Sequence, residues 1–228
     1  MITPAAAIAA LEACGDASRA AEMAAYHKTA RRFLGIGVPE IDRLARGWRA
    51  ACTLDDRVAL AAGLWESDIH EACMAAAKLL TQARIRPDAA VWALIARWAE
   101  GFDSWALADH AAAAGRLRLL ADSARLDQVE AWTRHPNMWT RRAALVMTLP
   151  WARLADPEPA QRAVRERVLG WCTDYADDHE WFIQKAVGWW LRDLSRRDPA
   201  RVRAWLHAHG DRLKPFARRE AARHLPAG

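Results

Sequence analysis

At 228 residues, with 53% hydrophobic and 27% charged side chains, the chain has globular and not disordered composition. Its net charge of +5 suits a polyanionic partner, although many basic proteins bind no nucleic acid. No stretch nears the ~18 apolar residues of a membrane span, and M-I-T-P-A-A-A-I lacks the regions of a secretory signal. A soluble, cytoplasmic protein is expected.

Helical periodicity runs through nearly every segment, and strand-like alternation rich in Val, Ile and Thr is absent. The predicted helices are 4–14, 17–30, 39–52, 55–64, 67–82, 87–99, 103–120, 124–134, 137–149, 158–174, 178–195, 198–208 and 215–225. Pro39, Pro87, Pro136, Pro150, Pro157, Pro159, Pro199 and Pro215 fall near helix starts, where a missing N–H is tolerated. Asp16, Asp55, Ser67, Asp103 and Asn137 are the expected N-caps. No Ser/Gly linker interrupts the chain, so one all-α domain over residues 1–228 is expected.

The helices repeat. Trp139-Thr-Arg-Arg142-Ala, Phe182-Ile-Gln-Lys185-Ala and Phe216-Ala-Arg-Arg219-Glu share an aromatic, a polar residue and a cation. Their aromatics at 139, 182 and 216 lie 43 and 34 residues apart. Helix pairs at that interval predict an α-solenoid of HEAT-like repeats, with Arg142, Lys185 and Arg219 laddered along a concave basic face. The plainer alternative is that each cation flanks its repeat, as in protein-binding scaffolds.

Within Glu180–Arg192, a helix of about 100° per residue gathers Ile183, Val187, Trp190 and Leu194 into a buried stripe. Phe182, Lys185, Trp189 and Arg192 fall opposite, a mixture of cations and rings suited to phosphates and bases. Of the 13 tryptophans, Trp65, Trp92, Trp98, Trp132 and Trp171 read as core. Trp105 and Asp109 stand one turn apart, so ring and carboxylate share a face. That carboxylate either bonds a neighbour such as His110 or Arg116, or faces a cationic transition state.

Other chemistries find no purchase. G-x-S-x-G, H-E-x-x-H, Walker and G-x-G-x-x-G patterns are missing, and the eight histidines are scattered. Cys14, Cys52, Cys73 and Cys172 form neither a zinc nor a disulfide pattern, so reduced, buried thiols are expected. An enzyme built from these residues works with carboxylate, arginine and aromatic groups, without metal or cofactor.

The motifs in order resemble the AlkD-like DNA alkylation repair family, HEAT-repeat glycosylases that excise alkylated purines. Ala21–Ile36, with Met23, Tyr26 and F-L-G-I, is similar to that family's opening signature. L-W-E-S-D-I-H-E (Leu64–Glu71) resembles its L-W-x-x-x-x-x-E segment, and Ser104–Asp109 its W-x-x-x-D. N-M-W-T-R-R-A-A, F-I-Q-K-A-V-G-W-W-L-R and Arg218–Ala221 complete the series.

The resemblance implies a catalytic carboxylate at Asp109, lesion-bordering aromatics at Trp105 and Trp189, and an accompanying arginine at Arg142. It places Tyr26 near the site, while Trp139, Lys185, Arg192 and Arg219 would bind DNA. The implied activity is hydrolysis of the N-glycosidic bond of 3-methyladenine or 7-methylguanine in duplex DNA, without flipping the base into a pocket. The implied partner is double-stranded DNA, bound by a monomer. The chain departs from many members at Ala106 and Leu107, where they carry a second aromatic and an extra acid; this bears on lesion range and activity level. The alternatives are a non-catalytic relative that binds DNA structures and a scaffold that binds a protein.

Overall fold

A computed structural model of the protein describes residues 2–225. Fourteen α-helices follow one another among them. The first seven are α1 (Pro4–Glu12), α2 (Ala17–His27), α3 (Val38–Ala51), α4 (Leu54–Glu66), α5 (His70–Leu80), α6 (Ala89–Ala99) and α7 (Trp105–Ala121). Then come α8 (Leu126–Trp132), α9 (Met138–Met147), α10 (Leu149–Arg153), α11 (Pro159–Asp174), α12 (Trp181–Ser195), α13 (Pro199–His209) and α14 (Pro215–Ala222). Among the described residues the only extended pairing is an isolated parallel bridge between Arg32 and Ile69, and no helix is long and apolar enough to cross a membrane.

Local chemistry sets most boundaries. Asp16 accepts from Arg19 N at 2.9 Å and Asn137 from Trp139 N at 2.9 Å, as expected of N-caps. Prolines occupy the first turns of α1, α3, α10, α11, α13 and α14. Three expected caps are displaced. Thr53, not Asp55, caps α4, in a reciprocal box with Asp56. Ser67 closes α4 by donating to Leu64 O at 2.7 Å, and α5 starts only at His70. At α7 the hydroxyl of Ser104 accepts from Leu107 N at 3.4 Å, while Asp103 pairs with Arg31 at 2.6 Å. The predicted helix 17–30 stops at His27 because Lys28 turns left-handed at φ 54°. The predicted helix 137–149 breaks at Thr148, just ahead of Pro150.

The chain divides after Ala121 into two compact units. In unit 1, α5 is buried along its whole length except Lys78 and packs on α3, α4 and α7. In unit 2, α12 packs on α9, α10, α13 and α14, and Ile183, Val187, Trp190 and Leu194 are all 0% exposed. Helix pairs α4/α5, α6/α7, α8/α9 and α13/α14 recur, and second helices stack in series: α3, α5, α7 in one unit and α9, α12, α14 in the other. Each unit is thus an all-α stack of HEAT-like helical repeats, the fold class of an α-solenoid. The aromatic–cation repeat of the sequence lies on α9, α12 and α14, the second helices of unit 2.

Glu71 holds the loop between α2 and α3. Fully buried on α5, its carboxylate accepts from the N–H groups of Leu34 (3.0 Å), Gly35 (2.8 Å) and Ile36 (3.2 Å). Gly35 permits that convergence: its φ is +78°, and an added Cβ would lie 2.1 Å from Asp16 O. Two of the family-like motifs, F-L-G-I and L-W-x-x-x-x-x-E, are thus two sides of one structural contact. Replacing Glu71 with Ala strands three buried donors. The substitution is expected to destabilise the protein by about 3 kcal/mol or more in chemical denaturation, whereas a surface control such as Glu22→Ala stays within about 0.5 kcal/mol.

Candidate functional site

In unit 1 the predicted residues gather at the start of α7. Trp105 opens that helix and Asp109 follows one turn later; both are half-buried. Tyr26, 70% exposed at the end of α2, meets the Trp105 ring edge-on with centroids 6.3 Å apart. Beneath them lies a stack of rings. His27 is 5.4 Å from Trp105 and 4.6 Å from His70, and His70 stacks on Phe33 at 4.5 Å. Neither nitrogen of buried His70 has a hydrogen-bond partner in the structure. Burial first, then the charges of His27, Arg31 and His110, push its pKa down to about 3. Burial lowers His27 as well. The base on which Trp105 rests is therefore uncharged at neutral pH.

His110, next to Asp109, borders a separate concavity of about 330 Å³ with Asp42, Arg46, Arg49 and Lys78. Burial, reinforced by Lys78, brings its pKa down to about 4. Lys78 itself is paired with Asp42 at 2.6 Å.

In unit 2, Trp181, Lys185, Trp189 and Arg192 form a line along α12, spaced four, four and three residues apart. With Phe216 and Glu220 of α14 they enclose a groove of about 370 Å³. The Lys185 ammonium lies 4.7 Å from the Trp181 ring centroid, and Arg192 is held by Glu220 and by Asp193 at 3.2 Å. Trp181 takes the place on this face that periodicity assigns to Phe182. Phe182 turns instead towards Trp139, 4.6 Å away, and Arg142.

Arg142 departs from the expected ladder. It is 3% exposed and donates to the Phe182 carbonyl at 3.0 Å, whereas Lys185 and Arg219 are exposed. The structure thus brings together Tyr26 with Trp105, Lys185 with Trp189 and Arg192, and Trp139 with Arg142; Arg219 stands apart on α14. Sequence reasoning missed Trp181 and Glu220 as groove residues and took Phe216 only as a repeat marker. The four-residue spacing back from Lys185 was the available signal for Trp181. All four cysteines are free, but Cys14 and Cys52 are only partly buried, unlike Cys73 and Cys172. Among the described residues no group of His, Cys, Asp and Glu is arranged to hold a metal ion.

Residues 7–225 match the family described as DNA alkylation repair enzyme. The chain belongs to that family. Its fold is shared with a protein of Enterococcus faecalis described as a predicted DNA alkylation repair enzyme. The TM-score is 0.78 at 22% identity, over 94% of this chain and 98% of that one. AlkD2 from Streptococcus mutans aligns with a TM-score of 0.63 at 20% identity, over 84% and 91% of the two chains. Smu.31 of Streptococcus mutans UA159 gives 0.62 at 19%, over 83% and 93%. No curated protein matches the sequence.

Two histidines, His70 in the ring stack and His110 next to Asp109 in sequence, set a pH response for this DNA alkylation repair enzyme. His70 and His110 have folded pKa values below their unfolded value of 6.5, so below that pH the unfolded chain takes up protons that the folded one refuses. Stability is expected to be full above pH 6.5 and to fall as pH drops towards 4 and 3, by about 1.4 kcal/mol per pH unit for each histidine. Urea titrations across pH 7 to 4 read this, and His70→Phe removes its share of the slope.

Proposed function

We propose that this DNA alkylation repair enzyme is a glycosylase that hydrolyses the N-glycosidic bond of positively charged alkylpurines, such as 3-methyladenine and 7-methylguanine, in duplex DNA. The observation that carries the proposal is Asp109 one helical turn after Trp105, with Tyr26 set against the indole. Alkylation at N3 or N7 makes the purine cationic, so the C1′–N bond breaks with its electron pair leaving on a neutral base. Positive charge then develops on the deoxyribose. The Asp109 carboxylate stabilises that oxocarbenium character and orients the attacking water, whose proton passes to solvent. Trp105 offers its π face to the same charge. No base pocket is required for this chemistry, unlike that of base-flipping enzymes.

The residues of unit 2 supply affinity. Lys185 and Arg219, both exposed, contact phosphates without reading sequence, and Arg192 adds a guanidinium oriented by two carboxylates. Trp189 and Trp139 keep the roles the resemblance gives them, at the lesion sugar and on the DNA. Arg142 acts by positioning, since its guanidinium anchors the first turn of α12 through the Phe182 carbonyl. We propose that the protein works as a monomer, as one domain across both units, in the cytoplasm and without metal or cofactor. The match over residues 7–225 supports the one-domain reading.

A second reading has a specific observation behind it. Ala106 and Leu107 are 4% and 0% exposed, so α7 presents no further acid or aromatic beside Trp105. A relative that binds damaged DNA without releasing the base fits that feature. Release of 7-methylguanine from methylated duplex DNA decides between the two. Wild type is expected to release base, and Asp109→Asn to release it roughly 30- to 1000-fold more slowly while binding DNA as before, the loss of about 2–4 kcal/mol of transition-state stabilisation. Binding without release by wild type selects the second reading.

A further inference from the structure

We propose that unit 2 carries a subsite for a single unstacked nucleotide of a DNA strand. Its base lies in the aromatic groove of α12 and α14, and its phosphate on the arginine cluster at the C-terminal end of α12. The proposal rests on the DNA-directed reading above: it does not involve Asp109, and it shares Trp189, Lys185 and Arg192 with the DNA-contacting residues of that reading.

The groove offers flat aromatic walls edged by Lys185, Arg192 and Glu220, as a base with polar edges requires. Three rings, Trp181, Trp189 and Phe216, line its roughly 370 Å³, within the range of small-molecule sites. Trp181 is 46% exposed, an unusual cost for an indole, and its ring lies 5.5 Å from Phe216 at a 31° tilt. The spacing of the walls is fixed. Gly188 lets α14 approach so closely that an added Cβ would lie 3.0 Å from Ala217 O and 3.3 Å from Ala217 Cα. The groove is therefore formed before any ligand arrives.

Charge identifies the rest of the ligand. A second concavity of about 320 Å³ is lined by Arg153, Arg192, Arg196, Arg197 and Asp193. Arg192 borders both spaces, so base and phosphate sites adjoin along one helix face. Together the two hold five cations against two carboxylates, Asp193 and Glu220. Those carboxylates do not cancel the site; they fix Arg192 between them, as ion pairs on either side of the guanidinium. Asp193 also aligns Arg153 at 2.7 Å. Flat aromatic walls next to a cationic excess fit a base with its phosphate. The base must be unstacked, because a paired base in a duplex has both faces covered by its neighbours. A distorted duplex frees such a base, either opposite or beside the damaged one.

The test uses the full chain and a ten-nucleotide single-stranded DNA, with affinity measured by fluorescence anisotropy at several salt concentrations. Trp181→Ala and Phe216→Ala are expected to weaken binding roughly 5- to 150-fold each without changing the salt dependence, and Trp181→Phe to restore most of it. Arg196→Ala with Arg197→Ala should lower the slope of log K against log salt by about 0.7 for each phosphate no longer neutralised, with the lysine variants restoring it. Thermal melting checks that each variant is folded. The subsite is overturned if wild type does not bind the strand, if Trp181→Ala binds as wild type does, or if the arginine variants lower thermal stability and leave the slope unchanged. Release of 7-methylguanine is scored separately. Release without strand binding removes the subsite and leaves the glycosylase reading, whereas strand binding with this signature and no release does the reverse.

Discussion

The carboxylate of Glu71 is the constraint on which unit 1 depends. Three consecutive N–H groups of the 34–36 segment have no secondary-structure partner of their own, and burying them unpaired would cost several kcal/mol. One side chain on α5 satisfies all three. The same loop is tied at Arg31, which pairs with Asp68 at 2.9 Å and Asp103 at 2.6 Å and lies 5.9 Å from the Trp65 ring. Because Tyr26 and His27 precede this loop and Trp105 follows Asp103 by two residues, these polar anchors fix the rings of Tyr26, His27 and Trp105. The arrangement of these rings is therefore set from beneath.

Unit 2 uses the same device with a neutral side chain. Gln184 is fully buried, and its Nε2 donates to the carbonyls of Tyr175 (3.2 Å), Ala176 (3.1 Å) and Asp178 (2.9 Å). Its Oε1 accepts from Lys214 N at 2.9 Å, so one amide ties the turn before α12 to the start of α14. Gly188, one turn further along, brings α14 against α12. Between them these two residues hold the two helices that form the groove, which explains a glutamine and a glycine on the buried side of a tryptophan-rich helix.

Much of the fold was legible because it depends on periodicity. The buried stripe of α12, the proline-marked helix starts and the repeat on α9, α12 and α14 all follow from spacing, which the sequence displays directly. What was not legible depends on partners distant in sequence. Ser67 looks like an N-cap locally, but the left-handed Asp68 (φ 58°) separates it from α5. Arg142 has the same local pattern as Lys185 and Arg219, yet the carbonyl that receives it lies 40 residues away. Trp181 and Phe182 are adjacent and similar in composition. Only the packing of α12 on α9 and α14 decides which ring faces the groove and which joins Trp139. Motif resemblance found Glu71 and Gln184 as members of a pattern, but not that their work is to satisfy backbone.

The same distinction changes how the basic composition should be understood. Several arginines are consumed inside the units: Arg118, 0% exposed, donates to the carbonyls of Gln82, Ala83 and Ile85, and Arg165 to those of Trp151 and Leu154. Such residues carry charge that contributes little to attracting a polyanion, because their donors are already committed to backbone. On the surface, others are matched to carboxylates, as Arg32 is to Glu12, Arg43 to Glu40, Arg212 to Asp177 and Arg218 to Asp211. A positive charge so largely offset implies modest, salt-sensitive affinity, so discrimination has to come from contacts that salt does not screen. In the proposed reading the exposed rings are those contacts. Tyr26 and Trp181 keep large apolar areas in water, a standing cost that a ligand with π faces would relieve.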